Sequence, residues 1–271
     1  MIVVTGATGN VGQELVRILV GAGAGVTAVS RRRSQLPNGV RHMEADLADP
    51  PSLAVALEGA EALFLLVAGE DPEGILGLAK AAGVRRVVLL SSQGAGTRPE
   101  VYRHPVAFEG AVRGSGLAWT ILRSGGLNSN AFAWAGSIRT ERTAAAPFGD
   151  VGLPTVDPAD VAEVAAVVLR EGGHAGRTYD LTGPAPVTPR ERAEAIGEAL
   201  GTPVRFIEQS RAEARAQMLS FMPEPVVEGT LAILGEPLPA EQETSSAVER
   251  ILGRAPRTFA DWAARTAPAF R

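Results

Sequence analysis

Gly6, Gly9 and Gly12 recur at G-x-x-G-x-x-G spacing within Gly6-Ala7-Thr8-Gly9-Asn10-Val11-Gly12. The run stands between a strand-like apolar stretch, Ile2–Thr5, and a segment whose Val11, Leu15, Ile18 and Leu19 repeat at helical period. A glycine turn at such a junction aims backbone N–H groups around Asn10 and Val11 at whatever lies in front of the helix, where negative charge is favoured. Gly6 permits the turn, Gly9 admits a pyrophosphate close to the backbone, and Gly12 lets helix and strand approach. The expected ligand is therefore a dinucleotide, with Thr8 in the same cradle, although the spacing differs from the usual G-x-G-x-x-G. An ordinary tight strand–helix turn is the alternative. The strand at the start of the chain and a second strand ending where an adenosine ribose should lie argue against it.

That second strand, Gly25–Ser30, runs into Arg31-Arg32-Arg33. A site for NAD(H) places a carboxylate there, which would repel a 2′-phosphate. Ser30 offers a hydroxyl instead, and Arg31 or Arg32 offers a charge-assisted contact, so NADP(H) is the expected cofactor. A solvated basic loop is the competing account of the arginines. Asp46-Leu47 closes the third strand, where a carboxylate either accepts from the adenine amine or holds a turn. Val67-Ala68-Gly69 ends the fourth strand with small residues that let backbone pass the cofactor. Beyond a strand at Trp119–Arg123, Gly125 and Gly126 allow close approach to the nicotinamide, and Asn128 carries an amide for substrate or cofactor. Met218, Phe221, Met222, Phe132 and Trp134 either wall an apolar substrate cavity or serve as core.

The elements that must position these residues follow from alternating patterns. Strand-length apolar runs at Ile2–Thr5, Gly25–Ser30, Val40–Ala45, Ala62–Val67, Arg86–Ser91, Trp119–Arg123 and Thr178–Leu181 alternate with helical periodicity, the signature of βαβ units around a parallel sheet. Asp49, Asp157 and Thr188 each precede a proline and are expected helix caps, Thr188 with Glu191 as a capping box. The segment Asp157–Arg170 carries Val161, Val164, Ala165, Val168 and Leu169 on one stripe and should cover a sheet face. The expectation is an α/β, doubly wound parallel-sheet Rossmann fold. Residues 1–183 form the NADP(H)-binding domain, and 184–271 form a smaller, mainly helical substrate lobe packed on it as one structural unit.

Several further residues resemble those of the short-chain dehydrogenase/reductase superfamily, in particular its atypical NmrA-like NAD(P)H-binding branch. They are Gly6–Gly12, Asp46-Leu47, Ser91-Ser92, the run Ser115-Gly116-Leu117-Ala118-Trp119-Thr120-Ile121-Leu122-Arg123, Asp157-Pro158-Ala159-Asp160-Val161-Ala162, and Gly253-Arg254-Ala255-Pro256 with Phe259 and Trp262. The resemblance implies a Rossmann fold with a small substrate lobe and NADP(H). It also implies a serine that orients a carbonyl, at Ser92, and a tyrosine acid, at Tyr102. The branch's parent motif is Tyr-x-x-x-Lys, and here Val106 stands in the lysine position. A valine cannot stabilise a tyrosinate, so Tyr102 should keep a pKa near 10 and act as a weak acid. His104 offers a second proton source, or is a surface histidine. Ser91 and Ser92 either face the cofactor edge or close a strand-end turn.

Composition narrows the function classes. The 271 residues are 45% hydrophobic, with 26 Lys+Arg against 30 Asp+Glu and a net charge of -4, giving no electrostatic footprint for nucleic acid or an anionic membrane. The absence of cysteine excludes disulfides and thiolate chemistry, and the three histidines lack metal-ligand spacing, so no metal is expected. No apolar run approaches the roughly 20 residues of a bilayer span, and a strand at the first residues leaves no room for a signal segment, so a cytoplasmic location is expected. The leading reading is an NADPH-dependent oxidoreductase that reduces a carbonyl, quinone or activated alkene of a small apolar molecule. The broken Tyr-x-x-x-Lys motivates two others: an NADP(H)-sensing regulator with a protein partner, and an enzyme that uses the cofactor structurally for a rearrangement. A homo-oligomer is compatible with each.

Overall fold

The structure is a computed structural model describing residues 1–32 and 36–271. The chain passes through β1 (Ile2–Thr5), β2 (Val26–Ser30), β3 (Arg41–Glu44), β4 (Ala62–Leu66), β5 (Arg86–Ser92), β6 (Ala118–Ser124), β7 (Thr143–Pro147), β8 (Arg177–Leu181) and β9 (Arg205–Gln209). Seven of these form one sheet in the order β3-β2-β1-β4-β5-β6-β8, and every pairing is parallel. The chain builds outward from β1 to β3 and then crosses back to place β4 on the other side of β1. The strand order reverses there, and the crevice at the carboxyl ends of β1 and β4 is where an α/β sheet binds its ligand.

Both sheet faces are covered, which is why the strand sequences are nearly continuous in apolar residues. Along β1, Val4 joins the core beneath helices Asn10–Gly21 and Pro158–Arg170, while Val3 joins the core beneath helices Pro72–Ala81 and Arg103–Gly114. Along β5, Val88 faces the first core, and Val87 and Leu89 the second. The expected stripe Val161, Val164, Ala165, Val168 and Leu169 is fully enclosed. Asp157 caps its helix by accepting from Ala159 N at 2.9 Å, and Thr188 and Glu191 form the expected capping box. Asp49 does not cap: its side chain makes no cap bond to the 3-10 turn Pro50–Leu53.

A second, two-stranded parallel sheet, β7 with β9, lies outside the main one and has no counterpart in the sequence reading. Its strands read Thr-Ala-Ala-Ala-Pro and Arg-Phe-Ile-Glu-Gln, alanine-rich in one case and half charged in the other, so neither has a strong strand signature. Ala131, Ile138 and Ala144 pack with Ala193, Ile196, Phe259, Trp262 and Phe270 in one core. Ala247 and Val248 join the core under the main sheet.

The last stretch is fastened to the helix Pro158–Arg170 by charge. Arg265 donates to both carboxylate oxygens of the buried Asp157, and Arg254 and Arg257 converge on Asp160 and Glu163. Burial raises the Glu163 carboxyl, but the two guanidinium groups outweigh it and hold the group below its usual value. Among the described residues, no helix is long and apolar enough to cross a membrane.

Candidate active site

At the β1 exit, Thr5 Oγ1 donates to Phe64 O at 2.9 Å and accepts from Leu66 N at 3.0 Å, pinning β1 to β4 at the strand-order reversal. Gly6 follows at φ +61°, where a Cβ would fall 2.0 Å from Leu66 Cδ1. Gly9 N donates to Gly6 O at 2.9 Å, closing the turn. A Cβ on Gly12 would fall 2.1 Å from Gly6 O, so only glycine lets this helix lie against the turn. The helix begins at Asn10 with no side-chain cap on Gly9 and no acid in its first turn. Its leading N–H groups therefore face outward without a competing anion, which fits a diphosphate.

The β2 and β3 exits lie beside this cradle. Ser30 Oγ donates to Arg32 O at 2.7 Å and lies 2.8 Å from His42 Nε2. The hydroxyl proton is thus directed to the turn, in the segment that carries Arg31 and Arg32. Both arginines are exposed; Arg33 lies outside the described residues. The sequence reading missed this contact: the β2–β3 register sets His42 opposite Ala28 and Glu44 opposite Ser30, so the imidazole reaches Ser30 from two residues back along β3. Asp46 Oδ1 accepts from Ala48 N at 3.0 Å, so this carboxylate holds a turn. Leu47 and Gly69 meet backbone to backbone: at φ +79°, a Cβ on Gly69 would sit 2.1 Å from Leu47 O.

A cavity of about 430 Å³ opens over the β4 and β5 exits and is lined by Val67, Ser91, Ser92, Tyr102 and His104 among others. Ala68 packs against the core beneath it. The Ser91 hydroxyl donates to Glu109 Oε1 at 2.8 Å. Glu109 is buried and also accepts from Arg123 at 2.8 and 2.7 Å and from Arg113 at 2.8 Å. Burial pushes this carboxyl up, but Arg123, Ser91 and Arg113 together hold it below its usual value. Asp180, nearby, is pushed up by burial and by Glu109, with partial relief from Arg123.

Tyr102 sits just before the helix Arg103–Gly114, not within it, so helical spacing does not separate it from His104, and the two line one cavity. Its ring lies over Gly94, where a Cβ would meet ring carbon Cε2 at 2.5 Å. Burial, aided by the Glu241 charge, pushes the phenol above its usual value despite relief from Thr230 and Arg98. His104 Nε2 lies 2.6 Å from Gly69 O; a carbonyl only accepts, so this nitrogen carries the proton and is tied down. The histidine thereby bridges the helix and the β4 exit. Ser92 Oγ accepts from Gly94 N at 3.2 Å, leaving its hydroxyl proton available.

Ser92 and Tyr102 also border a second cavity of about 360 Å³, between the β5 and β6 exits and the lobe. Gly125, Gly126 and Met222 line it. Phe221 is exposed, whereas Phe132 and Trp134 pack in the lobe core. Asn128 is fully buried with both amide atoms unpaired, and it is not among the residues lining the cavity. The sequence reading missed Thr155, Arg192, Thr230 and Glu241 on the cavity wall. Arg192 had a readable signal: it falls on the buried stripe Pro189, Arg192, Ala193, Ile196 of its helix, where a charge is out of place.

Comparison with known proteins agrees with this geometry. Residues 6–172 match the NAD(P)H-binding family. The chain is 37% identical to the (4-alkanoyl-5-oxo-2,5-dihydrofuran-3-yl)methyl phosphate reductase of Streptomyces griseus, over 100% of this chain and 99% of the relative. It is 31% identical to the NAD(P)H azoreductase of Xenophilus azovorans, again over 100% of this chain and 99% of the relative. The NADPH-dependent quinone oxidoreductase of Escherichia coli, solved with NADPH, superposes with a TM-score of 0.79 at 26% identity, covering 98% of this chain and 99% of that one. NmrA, a negative transcriptional regulator solved with NADP, shares the fold at a TM-score of 0.76 and 20% identity, over 98% and 95% of the two chains. With reductases aligned along its whole length, the chain belongs to the NAD(P)H-binding family.

Proposed function

We propose that the protein is an NADPH-dependent reductase of conjugated electrophiles: quinones, activated alkenes or carbonyls flanked by apolar groups. The observation that carries this reading is the sharing of Ser92 and Tyr102 by two cavities, one over the β4 and β5 exits and one beneath the lobe. The first would take the nicotinamide and the second its reaction partner. Bound NADPH supplies a hydride.

The chain's own residues do the remainder. Gly6, Thr8, Gly9, Asn10, Val11 and Gly12 would hold the diphosphate through backbone N–H groups, and Arg31 and Arg32 the 2′-phosphate. Leu47, Val67, Ala68 and Gly69 would lie beside the cofactor's rings, with Gly125 and Gly126 on the other side. The Ser92 hydroxyl and the protonated Tyr102 phenol, on residues that line both cavities, would donate to a substrate oxygen as negative charge develops on it. No lysine helps Tyr102 release its proton, which suits substrates whose reduced form takes its proton from water. The relatives fit this pattern, since an oxo-dihydrofuran, an azo compound and a quinone are all electrophilic conjugated systems.

NADPH consumption followed by absorbance with a panel of quinones, enones and ketones tests the proposal. Turnover of quinones and enones, faster than of simple ketones, is expected. A protein that binds NADPH and oxidises it with none of the panel would overturn the reading.

A further inference from the structure

The substrate cavity contains a cation without a counter-ion. Arg192 is only 9% exposed, its Nε has no hydrogen-bond partner, and among the described residues its guanidinium joins no ion pair. The acids around it are otherwise engaged. Glu241, on the same cavity wall, accepts from Arg98 Nε at 2.8 Å and Nη2 at 2.9 Å, from Thr97 at 2.9 Å and from Leu238 N at 2.8 Å. Glu191 closes the capping box with Thr188, and Asp150 and Glu208 pair with Arg190 on the outside of the helix. Burial lowers the Arg192 guanidinium to about 10, which still leaves it charged at neutral pH. A buried, uncompensated charge is among the most costly features a fold can carry. It is retained cheaply only if something else supplies the negative charge.

Thr155 strengthens the case independently. Its Oγ1 is buried and unpaired, and the residue lines the same cavity. The rest of the wall mixes apolar residues, Leu153, Met222, Ile233 and Leu234, with neutral hydroxyl and amide groups, and its one acid, Glu241, is already paired with Arg98. We propose that Arg192, assisted by the Thr155 hydroxyl, binds an oxyanion substituent of the substrate, making the substrate an apolar conjugated electrophile that carries a phosphate or carboxylate group. A guanidinium fork matches either oxyanion through paired N–H donors. The inference rests on the lobe cavity being the substrate site and deepens that assignment.

The test uses NADPH-saturated protein, so that the cofactor's own phosphates fill the glycine cradle. Phenyl phosphate, benzoate and benzyl alcohol are titrated while the melting temperature is followed. One or both anions should stabilise the wild type, benzyl alcohol should not, and Arg192→Met should abolish the difference. Phosphate and carboxylate are distinguished by which anion gives the larger shift. In parallel, a cyclic enone is assayed as its phosphomonoester, its carboxylate and its neutral alcohol. The charged form should be preferred by roughly tenfold to a hundredfold in kcat/KM, mainly through KM, with the preference lost in Arg192→Met and partly kept in Arg192→Lys. Equal stabilisation by anionic and neutral probes in the wild type, or equal kcat/KM for all three enones, would overturn the proposal. If no enone is reduced but the anion-selective shift is present and lost in Arg192→Met, the anion site stands and the reductase reading fails. Should Arg192→Met not fold, the wild-type titrations and Arg192→Lys decide the matter.

Discussion

His104 Nε2 and Gly69 O lie 2.6 Å apart, tying the first turn of the helix Arg103–Gly114 to the backbone that leaves β4. The ring also packs edge-on against Phe108 at 5.0 Å. His104→Ala should therefore keep turnover at saturating NADPH within a few-fold while loosening the β4 exit and raising the KM for NADPH. A general acid contributes about a hundredfold or more, so a fall in kcat of that size would restore His104 as the proton donor.

Tyr102 carries the opposite expectation. Burial, with Glu241 adding to it, holds the phenol above its usual value, so it stays protonated across the neutral range and beyond pH 9. Any step that uses it as donor is flat from pH 6 to 9. Tyr102→Phe keeps the ring over Gly94 and removes only the hydroxyl; reduction of a ketone should slow by roughly a hundredfold and that of a quinone much less. Equal effects on the two substrates, measured as kcat, would reduce Tyr102 to a packing role.

Arg31→Ala should weaken NADPH binding by about 1–3 kcal/mol and leave NADH nearly unchanged, since only the 2′-phosphate contact is lost. Calorimetric titration with each cofactor reads this directly. An unaltered NADPH/NADH ratio would move the phosphate site away from Arg31. Gly12→Ala should weaken both cofactors together, because the added methyl must push the helix off Gly6 O.

Glu109 links Ser91, Arg113 and Arg123, and its carboxyl is held below the ordinary range in the folded protein. The sign follows: its contribution is fully present above the unfolded carboxyl value, near 4.5, and is lost as pH falls through the lower folded value. Glu109→Gln should cost roughly 3 kcal/mol near pH 7, the low end for a broken buried pair because Arg113 is 41% exposed. Denaturant melts at pH 7 and pH 3 should show the wild-type advantage shrinking in acid. A constant difference across that range would refute the assignment.

The parts of the fold that were legible in sequence are those where one physical signal dominates. β1, β4 and β5 are buried on both faces and read as apolar runs; the glycine cradle reads because close approaches at Leu66 and at Gly6 O admit only glycine at positions 6 and 12. β7 and β9 were illegible because their pairing joins residues some sixty positions apart with weak local preference. Ser30 was read as a ligand donor because sequence shows a hydroxyl without showing that Arg32 O already holds its proton. Arg192, by contrast, was visible as a charge on an apolar stripe and was passed over because its helix lay in a stretch read only as core and wall.

Arg254, Arg257 and Arg265 grip Asp157, Asp160 and Glu163 across 91 to 108 residues of intervening chain. During synthesis the helix Pro158–Arg170 emerges long before these partners, with two fully buried carboxylates and nothing to neutralise them. The sheet can form as the ribosome advances, but the acidic end of that helix has to wait until residues 254–265 have been made. Such distant closure is slow and leaves an open intermediate exposed. The contact most at risk from a protease is therefore this one, which forms after the cofactor cradle has left the ribosome.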